Sequence, residues 1–314
     1  MVENVNLNNQ LNTLQSKIVV TLAYFDLFKF PLTHSEIIKF SKISSDQIEL
    51  IQQELNSLTE KKIIYNHQQY YSLSNSKELD VKRENGQKYA ERLMKKAVKY
   101  SNIINSFPFV RSVCISGSLS KGCVDEQGDI DYFIVTEPQR LWITRTLLIA
   151  FKKLFLLNSH KYFCVNYFVD TKHLEIPDKN IFTATELLTL LPMNGKKIYY
   201  DLIQNNEWAY TYLPNVQIEQ KEELQIKKLY LKLFLEKILS GSLGDFFDTF
   251  FMNLTIKKWK SKFKNFDEES LDTALRSRKY VSKHHPQQFQ KVVLTRLESS
   301  ISQLHKQFNL KLHD

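Results

Sequence analysis

The chain of 314 residues is 43% hydrophobic and 12% aromatic, which excludes an intrinsically disordered protein and allows two or three domains with cores of their own. Three cysteines without a CxxC pair argue against a disulfide framework or zinc knuckle, and the lack of a leader-like start or a long apolar run predicts a cytoplasmic protein with no membrane partner. The net charge of +9 arises after residue 86, since residues 1–86 hold nine Lys and Arg against ten Asp and Glu, and it favours an anionic partner for the later part of the chain.

The first 81 residues are predicted to form a small module of helices followed by a β-hairpin. Apolar residues at helical spacing, capping signals and two short β-like runs define its elements. These elements are helices over 12–30, from the capping box of Thr33 and Glu36 onward, and over 46–60, and β-like runs over 63–65 and 70–73. Three helices followed by a hairpin is the order of a winged helix, so residues 1–81 are interpreted as a winged-helix-like module.

A winged helix raises the question of DNA binding. The exposed positions of its third helix are acidic or amide side chains, and no cation occurs before Lys61 and Lys62. Phosphate contacts supply most of the non-specific affinity for DNA. DNA binding by this module is therefore not expected, and a protein-docking or substrate-positioning role is favoured.

The remaining sequence is predicted to hold a linker, an α/β core and a helical tail. Residues 82–106 are typical of one amphipathic helix, 107–176 alternate strands with a helix, and 177–314 read as almost wholly helical. The predicted core elements are strands over 110–116, 129–135 and 162–169 and a helix over 138–157. The expected fold class is α+β, predominantly helical, with a small mixed sheet between the N-terminal module and a C-terminal helical domain.

Asp129 and Asp131 carry the chemistry of the core. Alternation along a strand places the two carboxylates on one face, where they repel each other unless a cation lies between them. Oxygen ligands of this kind suit Mg²⁺. Ten residues earlier, Gly117 allows a close approach of the backbone to a phosphate, and the Ser118 hydroxyl can donate to it. Lys121, in the same turn, either meets a phosphate or is a solvated surface lysine.

This pattern, ISGS, a ten-residue spacer and then DIDYFIV, resembles the DNA polymerase beta-like nucleotidyltransferase superfamily, over about residues 107–175. The resemblance implies that Asp129 and Asp131 hold Mg²⁺ or Mn²⁺ and that Gly117 and Ser118 hold the phosphates of a nucleoside triphosphate. It also implies transfer of a nucleoside monophosphate to an acceptor with release of pyrophosphate. The acceptor is left open between a protein hydroxyl, a small molecule and a nucleic-acid end.

The third carboxylate of that family is less evident in this sequence. The third strand offers Asn166 in its middle and Asp170 at its end, and alternation puts both on one face with Cys164 and Phe168. If Asn166 faces the carboxylate pair, one ligand charge is missing; if Asp170 reaches the pair, the site is complete. Asn166 is favoured, so a catalytically weak nucleotide-binding protein that docks to or regulates a partner is the second hypothesis.

Two segments of the tail are rich in cations. Residues 276–286 combine Lys and Arg with His284 and His285, and are interpreted as a solvated basic loop, with closure over a triphosphate as the alternative. Adjacent histidines usually point apart, so the pair is weak support for a metal. In the basic segment 257–264, Trp259 and Phe263 are predicted to face the core.

Overall fold

A computed structural model describes residues 10–159, 161–218 and 230–311, and over these residues the chain is an α+β protein built on two sheets. Its first elements are three helices and three short strands: α1 (Thr13–Asp26), β1 (Leu32–Thr33), α2 (His34–Phe40), α3 (Ile51–Glu60), β2 (Tyr65–His67) and β3 (Tyr70–Ser72). Strand β3 lies between β1 and β2 and is antiparallel to both. Strand β1 was not predicted, because a strand of two residues is too short to show an alternation of apolar and polar side chains.

The capping box at the start of α2 is confirmed. The Glu36 amide donates to Thr33 Oγ1 at 3.3 Å, and the Thr33 amide donates to Glu36 Oε2 at 2.9 Å. Two donors that the first helical turn leaves unpaired are thus satisfied reciprocally.

The centre of the chain forms a long helix and then the strands of a larger sheet. Its elements are α4 (Glu78–Asn105), β4 (Val110–Ser116), α5 (Gly117–Ser120), β5 (Asp131–Thr136), α6 (Leu141–Phe155) and β6 (Cys164–Asp170). Strands β4 and β5 pair antiparallel, whereas β5 and β6 pair parallel with α6 as the connection. This mixed pairing agrees with the expected mixed sheet.

Over its described residues the tail is mostly helical, as expected, but it also contains three short strands that the sequence did not predict. It contributes α7 (Ile181–Leu188), β7 (Leu191–Asn194), α8 (Lys196–Gln204), α9 (Tyr230–Ile238), α10 (Ser242–Lys262), α11 (Glu268–Leu275), β8 (Ser277–Arg278), β9 (Val281–Lys283) and α12 (Phe289–Phe308). The strands β7, β8 and β9 complete a six-stranded sheet in the order β7-β4-β5-β6-β9-β8. Strands of two to four residues are too short for a periodic signal. The helix expected over 219–240 lies partly outside the described residues.

The larger sheet is covered on both faces, and this fixes the direction of every side chain on β5. Tyr132 and Ile134 belong to a hydrophobic cluster with α4 and α6. Phe133 and Val135 belong to a second cluster, which also includes apolar residues of the N-terminal elements, α7, α8 and α12. Because strand side chains alternate, Asp131 projects from the same face as Phe133, toward the side that α7 covers.

The basic segment after α11 forms the β8–β9 hairpin, so the solvated-loop interpretation is wrong. Arg276 and Lys283 both contact Asp178, at 2.9 and 3.3 Å. Arg278 contacts Asp272 at 2.7 Å. Asp178, the partner of both Arg276 and Lys283, lies about a hundred positions away in the sequence, so this pairing could not be predicted from the local pattern.

The prediction that Trp259, in the basic segment 257–264, faces the core is confirmed. Its side chain is 7% exposed, and its ring centroid lies 6.4 Å from that of Trp142 on α6. Phe263 packs against the same small cluster. Among the described residues, no helix has both the length and the apolar character that crossing a bilayer requires.

Candidate metal and phosphate site

Gly117 occupies the turn between β4 and the short helix α5. Its φ of +68° lies in the left-handed region, which only glycine adopts without strain. Antiparallel pairing sets Ser116 opposite Asp131, so the turn is next to the start of β5. A Cβ atom added to Gly117 would lie 2.6 Å from Asp131 Oδ2. The glycine is therefore required both by the backbone and by the neighbouring carboxylate.

The carboxylates of Asp129 and Asp131 converge, as alternation predicts. Asp129 precedes β5, and the intervening Ile130 is fully buried in the opposite cluster. The Cys164 thiol, at the start of the neighbouring strand β6, joins them: one ligand atom from each of these three residues lies within 4.8 Å of the others. Parallel pairing of Asp131 with Cys164 brings the thiol to this position.

Asn166 binds two members of this group. Its Nδ2 lies 3.0 Å from Asp131 Oδ1 and 3.0 Å from Cys164 Sγ. The third-strand position next to the carboxylate pair is thus occupied by an amide, which carries no charge and accepts no proton at neutral pH.

Asp170 does not reach the carboxylate pair, and the expectation that it shares a face with Asn166 is wrong. The pairing of β5 with β6 shifts by one residue at Asn166, a β-bulge that reverses the alternation beyond it. Asp170 is therefore opposite Thr136, on the other face and at the far end of β6 from Cys164. Its Oδ1 contacts His173 Nδ1 at 2.7 Å.

Glu186 on α7 is the site residue that sequence reasoning misses. Its Oε2 accepts from the Gly117 amide at 3.1 Å, and its Oε1 pairs with the Lys121 ammonium at 2.7 Å. Lys121 also donates to the Gly117 carbonyl at 3.1 Å, and its side chain is 14% exposed. Lys121 is therefore not a solvated surface lysine. Ser118 lies beside these donors and is exposed.

The Gly117 amide and the Lys121 ammonium together form an anion-binding site, because both donate to the same carboxylate, that of Glu186. The helix over 181–188 is recognisable from the sequence, but nothing local indicates that its single glutamate contacts a turn 69 positions earlier.

The electrostatics of the cluster favour a bound cation. Burial, together with the negative charges of Asp129 and Glu186, raises the pKa of Asp131 to about 7, against the lowering effect of hydrogen bonds from Cys164 and Asn166. Burial and the same aspartates also raise the pKa of the Cys164 thiol. Carboxylates that are this close repel each other, and a divalent ion relieves the repulsion.

His284 and His285 are not part of the Asp129, Asp131 and Cys164 group. Burial lowers the pKa of each imidazole to about 4, so both are neutral at physiological pH. The His284 amide donates to the Asn166 carbonyl at 2.9 Å, which attaches the β8–β9 segment to the bulge of β6.

Comparisons with protein-family models, with curated proteins and with solved structures gave no match for this chain.

Proposed function

We propose that this protein is a metal-dependent nucleotidyltransferase that moves a nucleoside monophosphate from a nucleoside triphosphate to an acceptor hydroxyl. The observation that carries the proposal is the convergence of Asp129 and Asp131 on the Gly117 turn, with an anion site beside them. A carboxylate pair and an anion site in contact are what a cation and a triphosphate need in order to bind together. The sequence resemblance to the polymerase beta-like superfamily points to the same chemistry.

In the proposed reaction, the oxygen of the acceptor hydroxyl attacks the α-phosphorus and its proton passes to solvent, while the bond from that phosphorus to the bridging oxygen breaks and pyrophosphate leaves. Asp129 and Asp131 would hold Mg²⁺ or Mn²⁺, which when bound neutralises the charge that develops on the phosphate oxygens. The chain itself orients the phosphates through the Gly117 amide, the Lys121 ammonium and the exposed Ser118. Asn166 supports the site by holding the Asp131 carboxylate in place.

Glu186 competes with the phosphates for the same donors, and this gives a prediction. The variant Glu186→Gln keeps the size of the side chain but removes the charge that binds Lys121. Because charge-assisted hydrogen bonds are the stronger ones, the variant is expected to bind a fluorescent nucleoside triphosphate about tenfold more tightly in the presence of a chelator. Fluorescence titration of both proteins measures the two dissociation constants.

The matched control is Glu175→Gln, which removes the same charge from an exposed pair with Lys179 and should leave the affinity unchanged. Unchanged or weaker binding by Glu186→Gln would show that Glu186 does not occupy the phosphate position.

The function is tested by incubating the protein with each α-labelled nucleoside triphosphate, Mg²⁺ or Mn²⁺, and a cell lysate as the source of acceptors. We expect label to appear on one class of acceptor and to be absent with the Asp129→Asn/Asp131→Asn variant, whose fold is checked by circular dichroism. Triphosphate binding without transfer under any of these conditions would reject the enzyme in favour of the second candidate.

The second candidate is a nucleotide-binding protein that docks to or regulates a partner without efficient transfer. Asn166 favours it, because an amide stands at the third-strand position where the family has a carboxylate that serves as ligand or general base. Glu186 of α7 does not replace that carboxylate, because it binds the Gly117 amide and Lys121 and is not part of the group of Asp129, Asp131 and Cys164.

We further propose that the N-terminal elements are a winged-helix-like module that positions a substrate or a partner. The element order from α1 to β3 and the strand order β1-β3-β2 support this interpretation. Gln52, Gln53 and Asn56 lie on α3, and Glu54 of the same helix binds Asn12 and Gln15. A surface of this kind offers few phosphate contacts, so duplex DNA is not the proposed ligand.

A further inference from the structure

The carboxylate pair shares its site with a thiol. Cys164 is the first residue of β6 and is 5% exposed, and its sulfur is directed at the same point as the carboxylates of Asp129 and Asp131. The other two cysteines have different surroundings. Cys114 is buried beside Ser112, and the Cys123 thiol contacts the Arg83 carbonyl. Within the described ranges, the group that contains Cys164 is the one found with metal-binding potential.

The three donors are held in place from different parts of the fold. Asp129 and Asp131 flank Ile130, whose carbonyl accepts from the Cys164 amide at 3.1 Å, so the start of β6 is joined to the start of β5. The side-chain Nδ2 of Asn166 then donates to both the Cys164 sulfur and the Asp131 carboxylate. The sulfur is therefore positioned by backbone pairing as well as by a side chain, and binding a metal requires no rearrangement of the sheet.

A site with two carboxylates and a sulfur differs in metal preference from one made of oxygen alone. Mg²⁺ takes oxygen ligands, whereas Zn²⁺ and Co²⁺ also accept thiolate, and thiolate ligands select softer ions. We propose that Cys164 is a metal ligand together with Asp129 and Asp131, and that this site binds Zn²⁺ or Co²⁺ in preference to Mg²⁺. The inference deepens the proposed function, since it concerns the same carboxylates.

Metal binding at Cys164 is an exchange of a proton for a metal ion. The bond between sulfur and hydrogen breaks, the bond between sulfur and metal forms, and the proton is released to solvent. No electron transfer is involved. A sulfur-to-metal charge-transfer band requires a bond between sulfur and metal, so it reports ligation by Cys164 directly.

The test is a Co²⁺ titration of the full-length, metal-free protein, followed by absorption spectroscopy. We expect a thiolate-to-cobalt charge-transfer band in the near ultraviolet that saturates at one equivalent of metal. Zn²⁺ should abolish the band, and a large excess of Mg²⁺ should not. The variant Cys164→Ser should lack the band and bind Co²⁺ at least about tenfold more weakly.

Two further variants separate ligation from folding. Cys123→Ser removes a thiol outside the cluster and should keep the band. Asp129→Asn should weaken Co²⁺ binding but still show the band at saturation, because the sulfur ligand remains. Circular dichroism and thermal unfolding establish that all three variants fold.

A band that persists in Cys164→Ser, or one that an excess of Mg²⁺ abolishes, would overturn the inference. Co²⁺ binding without any charge-transfer band would also overturn it, while leaving metal-dependent transfer by the carboxylates untouched. Conversely, a band that depends on Cys164 in a protein that transfers no nucleotide would support the inference and reject the proposed function.

Discussion

Replacing Asp131 by asparagine is expected to stabilise the metal-free protein at pH 8 and at the same time to remove nucleotidyl transfer. The carboxyl group ionises near 3.8 in the unfolded chain and at about 7 in the folded protein. The folded state therefore binds the proton more tightly. The stabilisation that comes from this tighter proton binding is fully present below about pH 4 and is lost as the pH rises through about 7.

Asparagine does not ionise, so the free energy of unfolding of the variant lacks this pH dependence. The gap in stability between variant and wild type should widen by about 4 kcal/mol in favour of the variant between about pH 4 and pH 7, because a pKa difference of one between the folded and unfolded states corresponds to about 1.4 kcal/mol, and should then stay constant. Urea unfolding with a chelator present, at pH 5 and pH 8, measures this gap. Asp129 and Glu186 are the acidic neighbours that make the ionised form of Asp131 unfavourable, and both remain in the variant.

Divalent metal should reverse this difference in stability between the wild type and the Asp131→Asn variant. Mn²⁺ or Mg²⁺ is expected to stabilise the wild type at pH 8 and not the variant, and transfer should fall at least about a hundredfold. The control Asp125→Asn, in an exposed pair with Lys82, should change neither property. A gap that narrows with rising pH, or a variant that metal still activates, would contradict the electrostatic account of the site.

The second large effect is expected at Gly117. Its replacement by alanine introduces a side chain at a φ of +68°, and the new Cβ atom meets the Asp131 carboxylate at 2.6 Å. We expect a loss of about 2–3 kcal/mol in the free energy of unfolding, together with loss of triphosphate binding, because the Asp131 carboxylate must move away from the Gly117 turn. Urea unfolding and fluorescence titration measure the two effects.

Gly122→Ala is the matched control for this substitution. Gly122 has a φ of +69° in the same turn region, and no atom lies within 4 Å of the position of its Cβ. It should cost only about 1 kcal/mol, the backbone share of the penalty, and leave triphosphate binding intact. Equal losses for the two variants would mean that the contact with Asp131 has no influence on the site.

The sequence predicts well those features that depend on neighbouring residues. Strand β4, the direction of Asp129 and Asp131 and the glycine turn follow from alternation and from the short connection between two strands. The capping box at Thr33 follows from spacing alone. Each of these features involves residues within about a dozen positions of one another.

Features that depend on distant residues could not be predicted. Cys164 joins the carboxylates only through parallel pairing of β5 with β6, and Glu186 only through the packing of α7 against the Gly117 turn. The bulge at Asn166 leaves the alternating pattern of the sequence unchanged, yet it moves Asp170 to the other face. Asp178, one of the two acidic partners of Arg276, is also remote in the chain.

The carboxylate of Glu186 that now bridges Gly117 and Lys121 has a consequence for the order in which ligands arrive. A phosphate that enters alone must expel this carboxylate and leave its negative charge next to two aspartates without a counterion. A triphosphate that enters as a complex with its cation brings the positive charge that the displaced glutamate then needs. The pocket should therefore discriminate against free inorganic phosphate and accept the nucleotide and its metal as one unit.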